Sequence, residues 1–307
     1  MNTVVQVHGL RKTYGATIAV DDVSFEVGEG EIFGMVGPNG AGKTTTIECL
    51  EGLRKPDAGS VRVLGMDPQG ENRALRERLG MQLQQSNLPD RMKVWEALDL
   101  YASFYPKAAD WRELLVQLGL EDKRNTPFSK LSGGQKQRLF IALALLPDPK
   151  LVFLDELTTG LDPQARHAIW DLVRAVHDQG KTILLTTHFI DEAERLCERV
   201  AIHDKGRIVA LDTPSNLVHN LGTEERILFS VDKALPVRFA DALSNGTRLD
   251  AQGEWVTISG RNGREIPLVV EVVNLLSREG VRFHNLRTEQ PNLEDVFLSL
   301  TGSRIRE

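Results

Sequence analysis

Only two cysteines, Cys49 and Cys197, occur in 307 residues, far apart and both within helical patterns. That excludes a disulfide-stapled secreted fold and suits free thiols in a reducing compartment. The seven histidines are scattered without metal-ligand spacing, so no structural zinc is expected. No apolar run approaches the ~20 residues needed to span a bilayer. The N-terminal Met-Asn-Thr-Val-Val-Gln-Val-His has no basic segment followed by an apolar one, so no secretory signal is read there. With 37 Lys and Arg against 43 Asp and Glu, the formal net charge is −6, and nucleic acid is not an expected partner. The remaining composition is that of a globular chain long enough for one or two domains.

Against this plain background one stretch stands out. Gly34-Met-Val-Gly37-Pro38-Asn39-Gly40-Ala41-Gly42-Lys43-Thr44-Thr45 follows the apolar run Ile32 to Val36, and a helix pattern starts at Lys43. Glycines let such a loop turn its N–H groups onto one anion, and the helix N-terminus adds partial positive charge at the same point. Gly37-x4-Gly42-Lys43-Thr44 has P-loop spacing, in which Lys43 reaches the β- and γ-phosphates and the Thr44 hydroxyl ligates Mg²⁺. A second run, Leu151 to Leu154, ends in Asp155-Glu156. There Asp155 suits the metal shell and Glu156 suits the polarisation of an attacking water. A third device is Ser132-Gly133-Gly134-Gln135, where Ser132 caps a helix and two glycines bare the backbone to an approaching anion.

Strands at 3–7, 19–27, 32–36, 60–64, 151–154, 182–186, 200–203 and 207–210 alternate with helices at 43–50, 165–179 and 190–197. That order argues a mainly parallel α/β core. Helical periodicity fills 94–146: one helix closes before Pro106, Asp110 caps a second, and a third runs from Gly134 to Pro147. Beyond Asn220-Leu-Gly222 the pattern becomes βαββαβ, with a helix over 235–244, which suggests a small ferredoxin-like α+β unit.

Leu131-Ser132-Gly133-Gly134-Gln135 resembles the signature motif of the ATP-binding cassette (ABC) family, and the resemblance covers residues 3 to about 220. It implies a cassette over 1–222, with an N-terminal antiparallel β subdomain and a helical signature subdomain at about 86–146, followed by an accessory domain at 223–307. It further implies that Tyr14 stacks on adenine and that Gly37 to Thr45 bind ATP. In the same reading Thr44, Asp155 and Gln84 serve Mg²⁺, Gln84 being chosen over Gln82 and Gln85. Thr158 to Asp162 forms the loop that faces a partner, and His188 contacts the γ-phosphate. Ser132 to Gln135 then closes on the ATP of the opposite protomer, in a homodimer that hydrolyses ATP and drives a separate transmembrane permease. The expected place is the cytoplasm, peripheral on the inner face of the membrane. Thr187 to Glu194 and the final Asn292 to Gly302 look like the multidrug and daunorubicin-resistance type of exporter ATPase. The alternatives are an importer ATPase or a soluble ABC ATPase acting on a non-membrane target. Two departures from the family pattern stand out: Leu157 where proline is common, and Lys93 where a threonine N-cap is common. The second makes a looser start expected for the helix at Val94.

Overall fold

Ile32–Val36, Leu151–Asp155 and Thr182–Thr187 are buried along their whole lengths, as strands covered on both faces must be. The computed structural model describes residues 2–70, 73–82, 87–220, 224–233, 235–236, 238–244, 246–261, 266–289 and 291–302. These strands form the centre of a six-stranded sheet in the order Leu79–Gln82, Leu151–Asp155, Thr182–Thr187, Ile32–Val36, Arg199–Asp204, Arg207–Asp212. The first five run parallel, and Arg207–Asp212 joins antiparallel at the edge. The carboxyl ends of Ile32–Val36, Leu151–Asp155 and Thr182–Thr187 therefore open side by side, the place where open α/β sheets receive ligands.

A second sheet is antiparallel, in the order Thr17–Gly28, Thr3–Tyr14, Ala58–Val63. The ring of Phe25 from this sheet stacks on Phe33 of the parallel sheet, centroids 5.2 Å apart, within one continuous apolar core. The first strand runs on to Tyr14, well past the Val7 expected from alternation. Four register shifts break the alternation while the pairing to Thr17–Gly28 continues, and each slip of one residue exchanges the two faces.

The helical region holds Val94–Ala102, Trp111–Gln117 and Gly133–Leu145. Lys93 offers no acceptor at the first helix start. Glu96 compensates, its carboxylate accepting the Lys93 N–H at 2.8 Å, one half of a capping box. Asp110 caps the second helix through the Arg112 N–H, as its sequence position suggested.

The chain divides into two compact units, Met1–Pro214 and Ser215–Arg304. In the second unit the sheet order is Thr247–Gln252, Trp255–Arg261, Glu224–Val231, Phe283–Glu289, all antiparallel. With the helices Arg238–Asp241 and Leu268–Arg278 the chain order is the βαββαβ of a ferredoxin-like unit, and Leu293–Thr301 follows it. Ile227, Phe229, Phe239, Ile258 and Leu276 lie at its core. Arg238–Asp241 is much shorter than the helix expected over 235–244. Pro236 disfavours helical backbone at Leu235, and at the other end the Ser244 N–H is diverted to the Glu271 carboxylate at 2.7 Å.

Close packing around Gly34 gives a first prediction. A Cβ on Gly34 would lie 2.5 Å from the Cys197 sulfur, so Gly34→Ala should destabilise the fold by about 1–3 kcal/mol. Urea denaturation measures the loss, and Cys197→Gly should restore part of it. Equal stability of wild type and Gly34→Ala would refute this packing.

Candidate functional site

The central strand Thr182–Thr187 organises the site through its last two carbonyls. The Thr187 carbonyl accepts the Gly37 N–H at 3.3 Å, which fixes the entry to the glycine loop. The Thr186 carbonyl accepts the Glu156 N–H at 3.1 Å, and the Thr186 hydroxyl accepts the same N–H at 3.1 Å. Two loops from flanking strands are thus pinned to neighbouring residues of the strand between them. Glu156 sits at φ 49°, a left-handed conformation that costs a non-glycine residue roughly 1–2 kcal/mol.

The glycines of the loop are dictated by what surrounds them. A Cβ on Gly37 would stand 2.3 Å from the His203 carbonyl oxygen. Gly42 has φ 98°, and its Cβ would stand 2.3 Å from the Ala19 carbonyl oxygen. From the other side the Gly206 N–H donates to the Ala41 carbonyl at 3.1 Å, holding the loop to the turn 204–207.

Lys43 is 3% exposed. Its ammonium donates to the Gly37 and Pro38 carbonyls at 2.7 and 3.1 Å and lies 3.9 Å from Glu156 Oε1. Burial pushes its pKa down, and the charges of Glu156 and Asp155 oppose that. Asp155 accepts hydrogen bonds from the Thr186 hydroxyl and, at 3.4 Å, from the Thr44 hydroxyl. Burial pushes its pKa up, against those two hydrogen bonds. His188 Nδ1 lies 3.6 Å from Glu156 Oε1. Lys43, Thr44, Asp155, Glu156 and His188, which the sequence places in three separate stretches, thus form one cluster.

Pro38 is half-buried, Asn39 and Gly40 are exposed at the loop tip, Ala41 is buried, and Thr45 is half-buried in the first turn of the helix Lys43–Leu50. Tyr14 is exposed, with the Lys12 ammonium 5.6 Å and the Arg54 guanidinium 5.8 Å from its ring centre. Ser132 caps the helix Gly133–Leu145 through a reciprocal pair. The Gln135 N–H donates to the Ser132 hydroxyl at 3.3 Å, and the Ser132 N–H to the Gln135 side chain at 3.0 Å. Gly133 and Gly134 lie against Leu161 and Ala165. Within one chain these glycines therefore sit against Leu161 and the start of the helix Pro163–His177. Asp162 caps the helix Pro163–His177 through the Ala165 N–H at 2.8 Å. Gln84 and Gln85 lie outside the described residues, whereas Gln82 ends its strand buried.

A buried ammonium inside a ring of backbone groups, beside a hydroxyl and a carboxylate, fits phosphate and Mg²⁺ in its donor chemistry. Among the described residues no group of three or more His, Cys, Asp or Glu is assembled to hold a metal ion. A Mg²⁺ ion held by Thr44 and Asp155 would need phosphate and water for its remaining ligands.

Three supporting residues escaped the sequence reading. Thr186 binds the backbone and side chain of the acidic pair. Glu192 is buried and accepts from Thr158 and Trp170. His203 is fully buried under the glycine loop. None carries a motif of its own.

A family model described as ABC transporter matches residues 20–159. The "Nod factor export ATP-binding protein I" of Ralstonia nicotianae is 39% identical, over 99% of this chain and 95% of that protein. Its namesake from Paraburkholderia xenovorans is 40% identical, over 97% of each. Among solved structures, an "ATP binding subunit of ABC transporter" aligns with TM-score 0.64 and 32% identity, over 72% of this chain and 94% of its own. A dimeric bacterial ABC transporter cassette aligns with TM-score 0.62 and 28% identity, over 68% of this chain and 98% of its own.

His203 yields a test of the loop's foundation. Burial, with a smaller contribution from the Lys43 charge, pushes its pKa down to about 3. Between that value and the unfolded histidine value of about 6.5 the unfolded chain binds the proton and the folded chain does not. Stability should therefore fall as pH drops below about 6.5, by up to roughly 1.4 kcal/mol per pH unit. Urea midpoints at neutral and mildly acid pH should converge in His203→Leu. An acid limb identical to wild type would show that His203 is not the titrating group.

Proposed function

Because the chain belongs to the ABC transporter family, as an ATP-binding subunit, we propose that it hydrolyses ATP to ADP and phosphate to drive export through a separate membrane permease. The observation that carries this reading is the convergence of Lys43, Thr44, Asp155, Glu156 and His188 at the carboxyl ends of three neighbouring strands. Members of the family bind ATP. In this reading the Gly37–Gly42 backbone and Lys43 hold the β- and γ-phosphates, and Tyr14 stacks on adenine. Thr44 and Asp155 would hold Mg²⁺, with Gln84 as a further ligand, and the bound ion would supply positive charge to offset that of the transferring phosphoryl group. Glu156 takes the proton of the attacking water, with His188 beside it at the γ-phosphate.

Ser132 and Gly133 are exposed, and Gly133 and Gly134 lie against the chain's own Leu161 and Ala165, which supports a second copy receiving this segment across a head-to-tail dimer, with Asp162 near the junction. The relatives named for Nod factor export favour export over import, in keeping with the multidrug and daunorubicin-type character of the tail. Among the described residues no helix is long and apolar enough to cross a membrane. The proposed location is therefore the inner membrane face, on the permease. We place the cassette at 1–222 and the accessory α+β unit at 223–307, and read that unit as a packing or dimer-stabilising module ahead of a ligand sensor. A soluble cassette acting on a non-membrane target is the second reading.

Two substitutions test the assignment. Lys43→Ala should abolish or sharply weaken binding of Mg-ATP, measured by equilibrium dialysis; wild-type affinity would refute its role. Glu156→Gln keeps shape and reach but cannot take the water's proton, so turnover should fall about 10²–10⁴-fold with ATP still bound. Size-exclusion chromatography of that variant should then show an ATP-dependent dimer. A monomer in ATP that retains wild-type turnover would overturn the role of Glu156.

A further inference from the structure

The residues that follow His188 are tied to the helix Pro163–His177 at three points. The Arg166 guanidinium lies 3.9 Å from the centre of the Phe189 ring, and its Nη1 lies 3.5 Å from the Asp191 carboxylate. Four residues on, and so on the same side of the helix, Trp170 donates its Nε1–H to Glu192 Oε1 at 2.7 Å. That same oxygen accepts the Thr158 hydroxyl at 2.9 Å. The Phe189 ring meets the His188 ring with centroids 4.2 Å apart. One carboxylate thus joins the start of the 158–162 loop, the helix that loop leads into, and the segment carrying His188.

Glu192 is buried to 1% exposure. Burial pushes its pKa up, against hydrogen bonds from Thr187, Trp170 and Thr158. A carboxyl group in such a place is expensive to desolvate, and a leucine would fill the space more cheaply. What leucine cannot do is accept two donors from different elements at one point.

We propose that Glu192, with Arg166, is a positioning residue for ATP hydrolysis: it locks the 158–162 loop and the Thr187–Phe189 segment into one rigid piece, so that the stance of the loop sets where His188 stands beside Glu156. This rests on the ATP-hydrolysing reading above and adds a route by which a partner pressing on the loop is felt at the chain's own reacting centre.

The test is a double-mutant cycle on the full chain. Glu192→Ala strands the Thr158 and Trp170 donors. It should lower kcat roughly tenfold to a hundredfold, while affinity for a fluorescent ATP analogue changes by less than about twofold. Glu192→Gln keeps an oxygen for both donors and should retain most of the rate. In a His188→Ala background, followed by single-turnover release of labelled phosphate, Glu192→Ala should add almost nothing, because both changes remove the same placement. Should Glu192→Ala fail to fold, Trp170→Phe removes one donor and runs the same cycle. Losses that multiply, a weakened nucleotide affinity at unchanged kcat, or a Gln variant as damaged as Ala would each overturn the latch. A wild-type chain without ATPase activity would instead overturn the reading beneath it.

Discussion

Two backbone hydrogen bonds, from the Gly37 N–H to the Thr187 carbonyl and from the Glu156 N–H to the Thr186 carbonyl, decide whether this site exists. They come from opposite neighbours of the same strand and converge on consecutive residues. Parallel register sets them: Val36 lies beside Thr187, and Asp155 beside Thr186. A slip of one residue on one side would turn Asp155 to the other face, since strand side chains alternate, and on the other side it would displace the loop that carries Lys43. The unbroken burial of all three strands resists such a slip, because a displaced register would also have to repack the core on both faces.

On that frame the chain gathers one cation and two carboxylates in a poorly hydrated place. Each is individually unfavourable there; together they partly offset one another, and the loop carbonyls and threonine hydroxyls complete the arrangement. Close by, the structure tolerates groups that gain less. Among the described residues the imidazole of His203 has no hydrogen-bond partner, and neither do the carboxyl oxygens of Glu51 at the end of the helix Lys43–Leu50. Burial, with the charges of Asp155 and Glu48 adding to it, pushes the Glu51 pKa up to about 8. Such spending of stability around a reacting centre is common where function fixes geometry.

What could be read in the sequence was local. Gly37 to Thr45, Asp155-Glu156 and Ser132 to Gln135 each sit in a short window whose spacing states its own chemistry, and the long apolar strands declare a parallel core. The end of the first strand escaped because bulges erase its alternation, and the helix near 238 shrank because Glu271, far along the chain, captures a backbone N–H. Thr186 and Glu192 escaped for the same reason. Their partners lie 22 to 34 residues away, and periodicity carries no information at that range.

The reciprocal cap at Ser132 has one more consequence. Ser132 and Gln135 each engage the other's backbone N–H, which holds the first turn of the helix in place while the Ser132 O–H can still donate outward. An anion that reaches the Ser132 hydroxyl can accept its O–H without breaking the cap, because the hydroxyl oxygen holds the Gln135 N–H through a lone pair. The helix start is therefore already ordered in the single chain, so that little conformational entropy would be lost there when a ligand meets it.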